Sequence, residues 1–360
     1  MSKQEYSFTK IFWKKLRRNK GAVFGLVIIV LSLLMALLAY VVAPDSTPDA
    51  NRIIVEIAAK KPGYKQQFIK IEQEKQTNSS AISEFFFGKE DRYQYIPITS
   101  YKQNGDSLAI EKFVDDGVTE PMKFSLNGKK VSELITTKAF WLGTDKFGRD
   151  ILSRLIVGVR VSLSVGLIAV LISLTVGIFL GAVAGYFRGW VDEAILWLIN
   201  VVWSIPTLLL VFAITLALGK GFWQVFLAVG LTLWVNVARL IRGQVLSLRE
   251  LNYIEATKAM GFSHARTIFK HILPNVMGPV IVIAASNFAS AIVIEAGLSF
   301  LGVGVQPPQP SWGLMIKENY NFIITNNPML AIAPGIAIML LVLAFNLLGN
   351  GLRDVLDVRS

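Results

Sequence analysis

Few residues in this chain have the type and spacing to do chemistry. Its two histidines, His264 and His271, are not set in an H-E-x-x-H pattern, so they do not build a zinc-peptidase centre on one helix face. Cysteine is absent, which removes disulfides and thiolate metal sites. No serine sits in a G-x-S-x-G setting with a histidine at membrane level, which argues against a serine hydrolase. No segment reads G-x-x-x-x-G-K-[ST]. Gly219-Lys220-Gly221 is a short turn with nothing to cradle phosphates, so the chain does not hydrolyse ATP in the P-loop manner. Glu295 is the clearest charge inside an apolar run. It is either hydrogen-bonded between helices or part of a solute path. Proton-coupled carriers need more titratable groups than these, so any transport here is driven from outside the chain.

The elements that must position such residues are apolar. Of 360 residues, 53% are apolar and 17% charged, and the mean hydropathy is +0.52. About 20 apolar residues cross a hydrocarbon core as a helix. Six runs qualify: Gly21–Ala43, Leu155–Ala184, Ala194–Leu218, Phe222–Val237, Val276–Ala296 and Met329–Leu348. The fourth is the shortest. Each is predicted to be an α-helix, because a bilayer offers no water to backbone groups. The first is too long for a signal-peptide core and is read as retained.

Lysine and arginine set the orientation. Lys3, Lys10, Lys14, Lys15, Arg17, Arg18 and Lys20 precede the first run against one acid, Glu5, which predicts a cytoplasmic N-terminus. Six spans return the C-terminus, with Arg353 and Arg359, to the same side. The loop between runs four and five, with Arg239, Arg242, Arg249, Lys258, Arg266 and Lys270, falls there too. The net charge of +11 is then explained by anionic head groups, with no nucleic-acid partner required. Phe8, Ile11, Phe12 and Leu16 recur at helical spacing, so residues 1–20 read either as an amphipathic helix along the inner surface or as a solvated basic tail.

Residues 44–140 form the one soluble-looking stretch, and the topology puts it outside the cytoplasm. Gln67–Glu72 and Tyr93–Ile98 alternate as strands do, and Asn127-Gly128 reads as a hairpin turn before Val131. A small β-rich domain with a thin core is expected, resting on membrane helices or a partner. Gln76 and Asn104 are expected outside.

Residues 246–275 are polar and rich in helix formers. Glu255, Ala256 and Ala259 fall on adjacent faces one turn apart, Gly261 can take a positive φ, and Leu273-Pro274 is expected to stop the helix before the fifth run. Such a segment either enters a groove on a partner or is an ordinary interfacial helix.

Tyr253–Asn275 resembles the EAA loop of dipeptide, oligopeptide and nickel ABC-importer permeases, with Glu255, Ala256, Gly261, Leu273 and Pro274 at the family's positions. Thr257 stands where a second alanine is common. Gly143, Thr144, Asp145, Gly148, Arg149 and Asp150 resemble the signature before the second span. Glu295, Ser299, Gln306 and Trp312 lie in a segment resembling the one after the fifth. Asn346–Asp354 resembles the C-terminal end, with Asn350 in place of an aspartate and Val358 in place of a proline. Phe12–Lys20 fits the second, C-type permease of these systems. Physical readings of the same residues stay open. Thr144 or Asp145 could N-cap the helix entering the second span, with Arg149 and Asp150 paired at the membrane surface. The turn Gln306–Gly313 could be a rigid outer loop with Trp312 as interfacial anchor.

The resemblance implies an all-α, six-span permease, with a core over 141–350, a tail over 351–360 and no catalytic or metal site of its own. It also implies a homologous permease partner, two cytoplasmic ATPases that use ATP and Mg, an extracytoplasmic binding protein, and residence in the bacterial inner membrane. Glu255, Ala256, Thr257, Gly261, Leu273 and Pro274 would then couple to the ATPases, and Glu295, Ser299, Gln306 and Trp312 would line a path or outer gate. Nucleotide-driven closure of the ATPases would rock the bundles between inward- and outward-facing states. A stand-alone carrier or channel is the alternative. A scaffold working through 44–140 is a further one.

Overall fold

The computed structural model describes residues 8–73, 80–126, 128–324 and 327–356. Gln76, Asn127, Val358 and Arg359 lie outside the described residues, as do the side chains of Phe8 and Ile11. In chain order the main elements are α1 (Phe8–Arg18), α2 (Lys20–Leu37), α3 (Ala39–Val42), β1 (Tyr64–Glu72), α4 (Ala81–Phe87), β2 (Tyr93–Asn104), β3 (Ser107–Asp115) and β4 (Val118–Ser125). There follow α5 (Val131–Leu134), β5 (Ile135–Phe140), α6 (Ile151–Phe187), α7 (Gly189–Trp203), α8 (Thr207–Leu218), α9 (Phe222–Arg249) and α10 (Asn252–Ala259). The last are α11 (His264–Arg266), α12 (Leu273–Leu301), α13 (Trp312–Asn319) and α14 (Met329–Leu356).

Among the described residues five helices are long and apolar enough to cross a membrane: α2, α6, α9, the continuous run His264–Leu301, and α14. Counting α7 and α8 as one broken span makes six. The run Ala194–Leu218, expected as one helix, is thus two, meeting at 91°. Pro206 is the reason: its ring removes an N–H and drives Ile205 out of the helical region. The shortest run of the sequence belongs to a 28-residue helix, α9, which carries Arg239 and Arg242 within it rather than in a loop.

Leu273-Pro274 does not stop a helix as expected. Residues 267–272 wind as a π turn, with the Leu273 amide donating to Ile268 O, and Pro274 falls in the first turn of α12. The wider turn takes a ring that would clash with the carbonyl four residues back.

The chain divides into two compact units. The first holds residues 1–33, 162–306 and 337–360. At its centre α9 packs against α6, α8 and α12 through buried Val225, Val229, Leu233 and Ala238. Gly177, Gly181 and Gly185 of α6 let the α9 backbone approach. A Cβ on Gly181 would lie 2.5 Å from Ala238 O, with similar clashes at Trp234 O and Arg242 O. Arg242 forks onto Asp192 of α7 at 2.5 and 2.7 Å. Leu16 of α1 is buried against Ala22 and Leu352, with Phe12 beside it, so protein covers this part of the amphipathic face. Trp13 stays half exposed.

The second unit holds residues 34–161 and 307–336, built around a five-stranded antiparallel sheet of order β4-β3-β2-β1-β5. The alternating stretches form β1 and β2, paired with Ile69 opposite Ile96. Period two sends neighbouring residues to opposite faces. Ile69, Ile98, Leu108 and Ile110 pack on one side, Phe68, Phe140, Ile54 and Ile57 on the other. Asn127 of the expected Asn127-Gly128 turn lies outside the described residues, and the strand before it does not pair with the strand after it. β4 and β5 are opposite edges, and Val131 opens the short α5. The true hairpins turn at Gly105 and Gly117, both at positive φ.

Candidate functional site

A cleft of about 830 Å³ opens in the first unit between α9, α12 and the end of α14. Asn236, Leu240, Gln244 and Ser247 face it from α9, and Gly278, Val282, Ser286 and Ser290 from α12. Both sets recur every three or four residues, so each is one face of a helix. The polar groups are neutral amides and hydroxyls, and Arg353 of α14 is the charged side chain in the lining. Asn287 reaches the same cleft, and its Nδ2 donates to Ser173 Oγ at 3.3 Å and Leu233 O at 3.5 Å. The sequence reading missed this stripe. Its signal was present, since polar residues at helical spacing inside apolar runs are costly in lipid and need a wet or protein-lined face.

Residues 251–275 form a compact knob in the same unit. Ile254 is fully buried with Ile268, Ile272 and Val276 against α9. Thr257 is buried too; its hydroxyl donates to Ile254 O at 2.7 Å and lies 3.2 Å from Thr267 Oγ1. Glu255, Ala256, Ala259 and Gly261 point to solvent, with Met260 at 62% exposure and Phe269 at 65%. Gly261 has φ 75, and a Cβ there would meet open space. Leu273 is partly buried against the core and Pro274 is exposed. Tyr186 at the end of α6 pins the knob: its hydroxyl lies 2.9 Å from His264 Nδ1, and its carbonyl accepts from Arg249 at 2.5 Å. The segment therefore separates into an inner face that holds and an outer face that is free to touch. Of the expected coupling residues, Thr257 alone lies fully on the inner face.

Glu295 and Ser299 are both fully buried on α12, outside the cleft lining. Ser299 Oγ donates to Glu295 Oε1 at 2.7 Å and accepts from the Val305 amide at 3.0 Å, which ties down the turn after α12. Gln306 folds onto that turn, donating to Gly304 O at 2.8 Å.

In the second unit Gly143–Asp150 is a tight buried turn. Gly143 and Gly148 take φ 81 and 74, and any Cβ would collide with Lys60 O and Ile54 O. Thr144 Oγ1 accepts from the Lys60 amide and donates to Ile57 O. Asp145 accepts from the Phe147 and Arg149 amides. Neither residue caps α6. Asp150 does, accepting from the Ser153 amide at 2.8 Å. Burial raises the Asp150 pKa, against two lowering hydrogen bonds from Ser153. Arg149 does not pair with Asp150 at a surface. It is buried, reaching Asp145 at 2.6 Å and Glu318 of α13 at 2.8 Å. Trp312 is no interfacial anchor either: it is 3% exposed, with its indole N–H donating to Leu155 O at 3.0 Å. The Glu318 contact had no signal in the sequence, since nothing local links positions so far apart. Nearby, burial and the Arg52 charge push Lys138 down to about 8, against Asp45, Asp91 and Asp150.

The chain is helical and polytopic, and the proteins it resembles are transport permeases. Residues 177–360 match the family described as binding-protein-dependent transport system inner membrane component. Residues 7–60 match the N-terminal TM domain of oligopeptide transport permease C. The chain is 42% identical over 221 residues to the glutathione transport system permease protein GsiD of Pectobacterium atrosepticum, covering 61% of this chain and 73% of the relative. It is 44% identical over 217 residues to the dipeptide transport system permease protein DppC of Alkalihalophilus pseudofirmus, covering 60% and 71%. The oligopeptide transport system permease protein OppC of Bacillus subtilis is 38% identical over 221 residues, covering 61% and 72%. The chain belongs to the family of inner-membrane components of binding-protein-dependent transport systems. Neither family match reaches residues 61–176, where the sheet lies.

Proposed function

We propose that this chain is one of two homologous permeases of an ATP-driven importer for peptides or related small solutes such as nickel complexes. Two cytoplasmic ATPases engage the outer face of residues 251–275, and an extracytoplasmic binding protein delivers the cargo. Both termini and the knob lie in the cytoplasm, and the sheet of residues 64–140 lies outside. The cleft between α9 and α12 is this chain's half of the path. Its amides and hydroxyls suit the peptide backbone, whose own amides demand partners once out of water. Glu295, Ser299, Gln306 and Trp312 shape the outer end of the permease rather than meet the cargo. The chain binds no nucleotide and catalyses no reaction.

One observation carries the coupling role: the knob exposes Glu255, Ala256, Ala259 and Gly261 while Ile254, Thr257 and Thr267 are buried beneath them. Small residues above a rigid base suit entry into a groove. The test is Gly261→Leu and Glu255→Lys in the assembled complex. Leucine at φ 75 adds strain and bulk, at about 1–3 kcal/mol. Co-purification of the ATPases should weaken roughly 5- to 150-fold, with permease pairing intact. ATPases that co-purify and hydrolyse ATP normally with both variants would remove the docking role.

A further inference from the structure

The inserted unit carries an apolar face that its own core leaves open. In α4, Ile82 is 72% exposed, Phe87 70% and Phe86 42%, and no described cluster of the unit takes them in. The face does not belong to a loose segment. Phe86 O accepts from Arg160 at 2.5 Å. Gly88 ends the helix at φ 86, wedged against Pro48 N and Ser46 O, and the Lys89 amide donates to Ser46 O at 2.8 Å.

Its place is fixed by two elements that lead into apolar spans. Arg160 is the last charged residue before Val161–Phe187, a stretch with no charge at all. An arginine at such a position marks the boundary between water and hydrocarbon. The Arg160 guanidinium also lies 5.1 Å from the ring centroid of Tyr40, in α3, directly after the first span. α4 packs on α3, where Val41 and Val42 are 65% and 55% exposed. The open face of α4 thus continues the exposed apolar surface of α3, the short helix that follows the first span, with Arg160 and Tyr40 beside it.

We infer that α4 is an interfacial anchor, with Ile82, Phe86 and Phe87 seated among the lipid head groups and upper acyl chains beside the first span. The occupant is the bilayer, because the face is continuous with the exposed Val41 and Val42 of α3, directly after an apolar span, and lies beside Arg160, the last charge before the next apolar stretch. A short helix that exposes aromatic and aliphatic residues gains from seating them at shallow depth in the interface. The inference rests on membrane residence and not on the coupling role.

The test uses the full chain with its co-purifying subunits, reconstituted in phosphatidylcholine–phosphatidylglycerol vesicles. The native chain has no cysteine, so Phe87→Cys, Ile82→Cys and, as a control at the β2–β3 turn, Asn104→Cys each report one site. Each is labelled with bimane, then challenged with a lipid carrying a shallow nitroxide and separately with aqueous iodide. The two α4 sites should be quenched by the lipid at least about threefold more than the Asn104 site, with the order reversed for iodide, as expected for interfacial burial. Equal iodide quenching at all three sites would overturn the inference. So would α4 sites shielded from both quenchers in the complex but open to iodide in the chain alone, which would assign the face to a partner protein.

Discussion

Glu318 is the residue on which the buried turn before α6 depends most. Arg149 and Arg154 are 3% and 0% exposed, and Arg154 has Asp145 at 4.0 Å and Glu318 at 3.7 Å as its nearest acids. Neither Nη atom of Arg154 has a hydrogen-bond partner among the described residues, so its charge is held by position rather than by good bonds. Glu318→Gln leaves two buried guanidinium groups facing one carboxylate. We expect a loss of about 3 kcal/mol, the scale for breaking a buried ion pair, read as a lower thermal midpoint in detergent. Adding Arg154→Met should recover part of it. An unchanged midpoint would mean that the turn is not held by charge. The six turn residues were legible in the sequence as a group. Their bonding was not: Asp145 and Asp150 differ in role because of where Gly143 and Gly148 steer the backbone, and Glu318 arrives from another part of the chain.

At the scale of elements, apolar runs announced five of the helices because lipid leaves the backbone one solution. Their breaks were harder to read. Pro206 divides one run at a right angle, whereas Pro274 sits in the first turn of α12, just after a π turn, within a continuous helical run. The knob of residues 251–275 shows the same division. Spacing marked Glu255, Ala256 and Gly261 as a crest, but Thr257 turned inward because Thr267 and Ile254 take its hydroxyl. Thr257→Val keeps the volume and deletes those bonds. We expect amide exchange over Asn252–Ala259 to speed about 5- to 10-fold, corresponding to about 1 kcal/mol of lost local stability, with the protection of α9 and α12 unchanged. Unaltered exchange in α10 would show that burial of Ile254 alone holds the knob.

For the whole molecule, membership in the transport family identifies a permease component of binding-protein-dependent transport systems. Its cleft carries polar side chains among apolar ones, its knob is exposed, and its sequence has no phosphate-binding loop. The sequence carried the class through its motifs and missed the cleft, because each polar residue there looks minor until α9 and α12 are laid side by side. The sheet was legible as β-rich from alternation, while its strand order was not, since no local signal distinguishes an edge-to-edge crossover from a hairpin. On the function proposed above, this chain moves cargo only when an ATPase drives it through residues 251–275. The direct measurement is uptake of a radiolabelled dipeptide or oligopeptide into vesicles holding this chain, its partner permease and the ATPases, with the binding protein supplied at the outer face. Accumulation should require both ATP and the binding protein and should fall with Gly261→Leu while the permeases remain paired. Uptake by this chain alone, without nucleotide, would contradict the account.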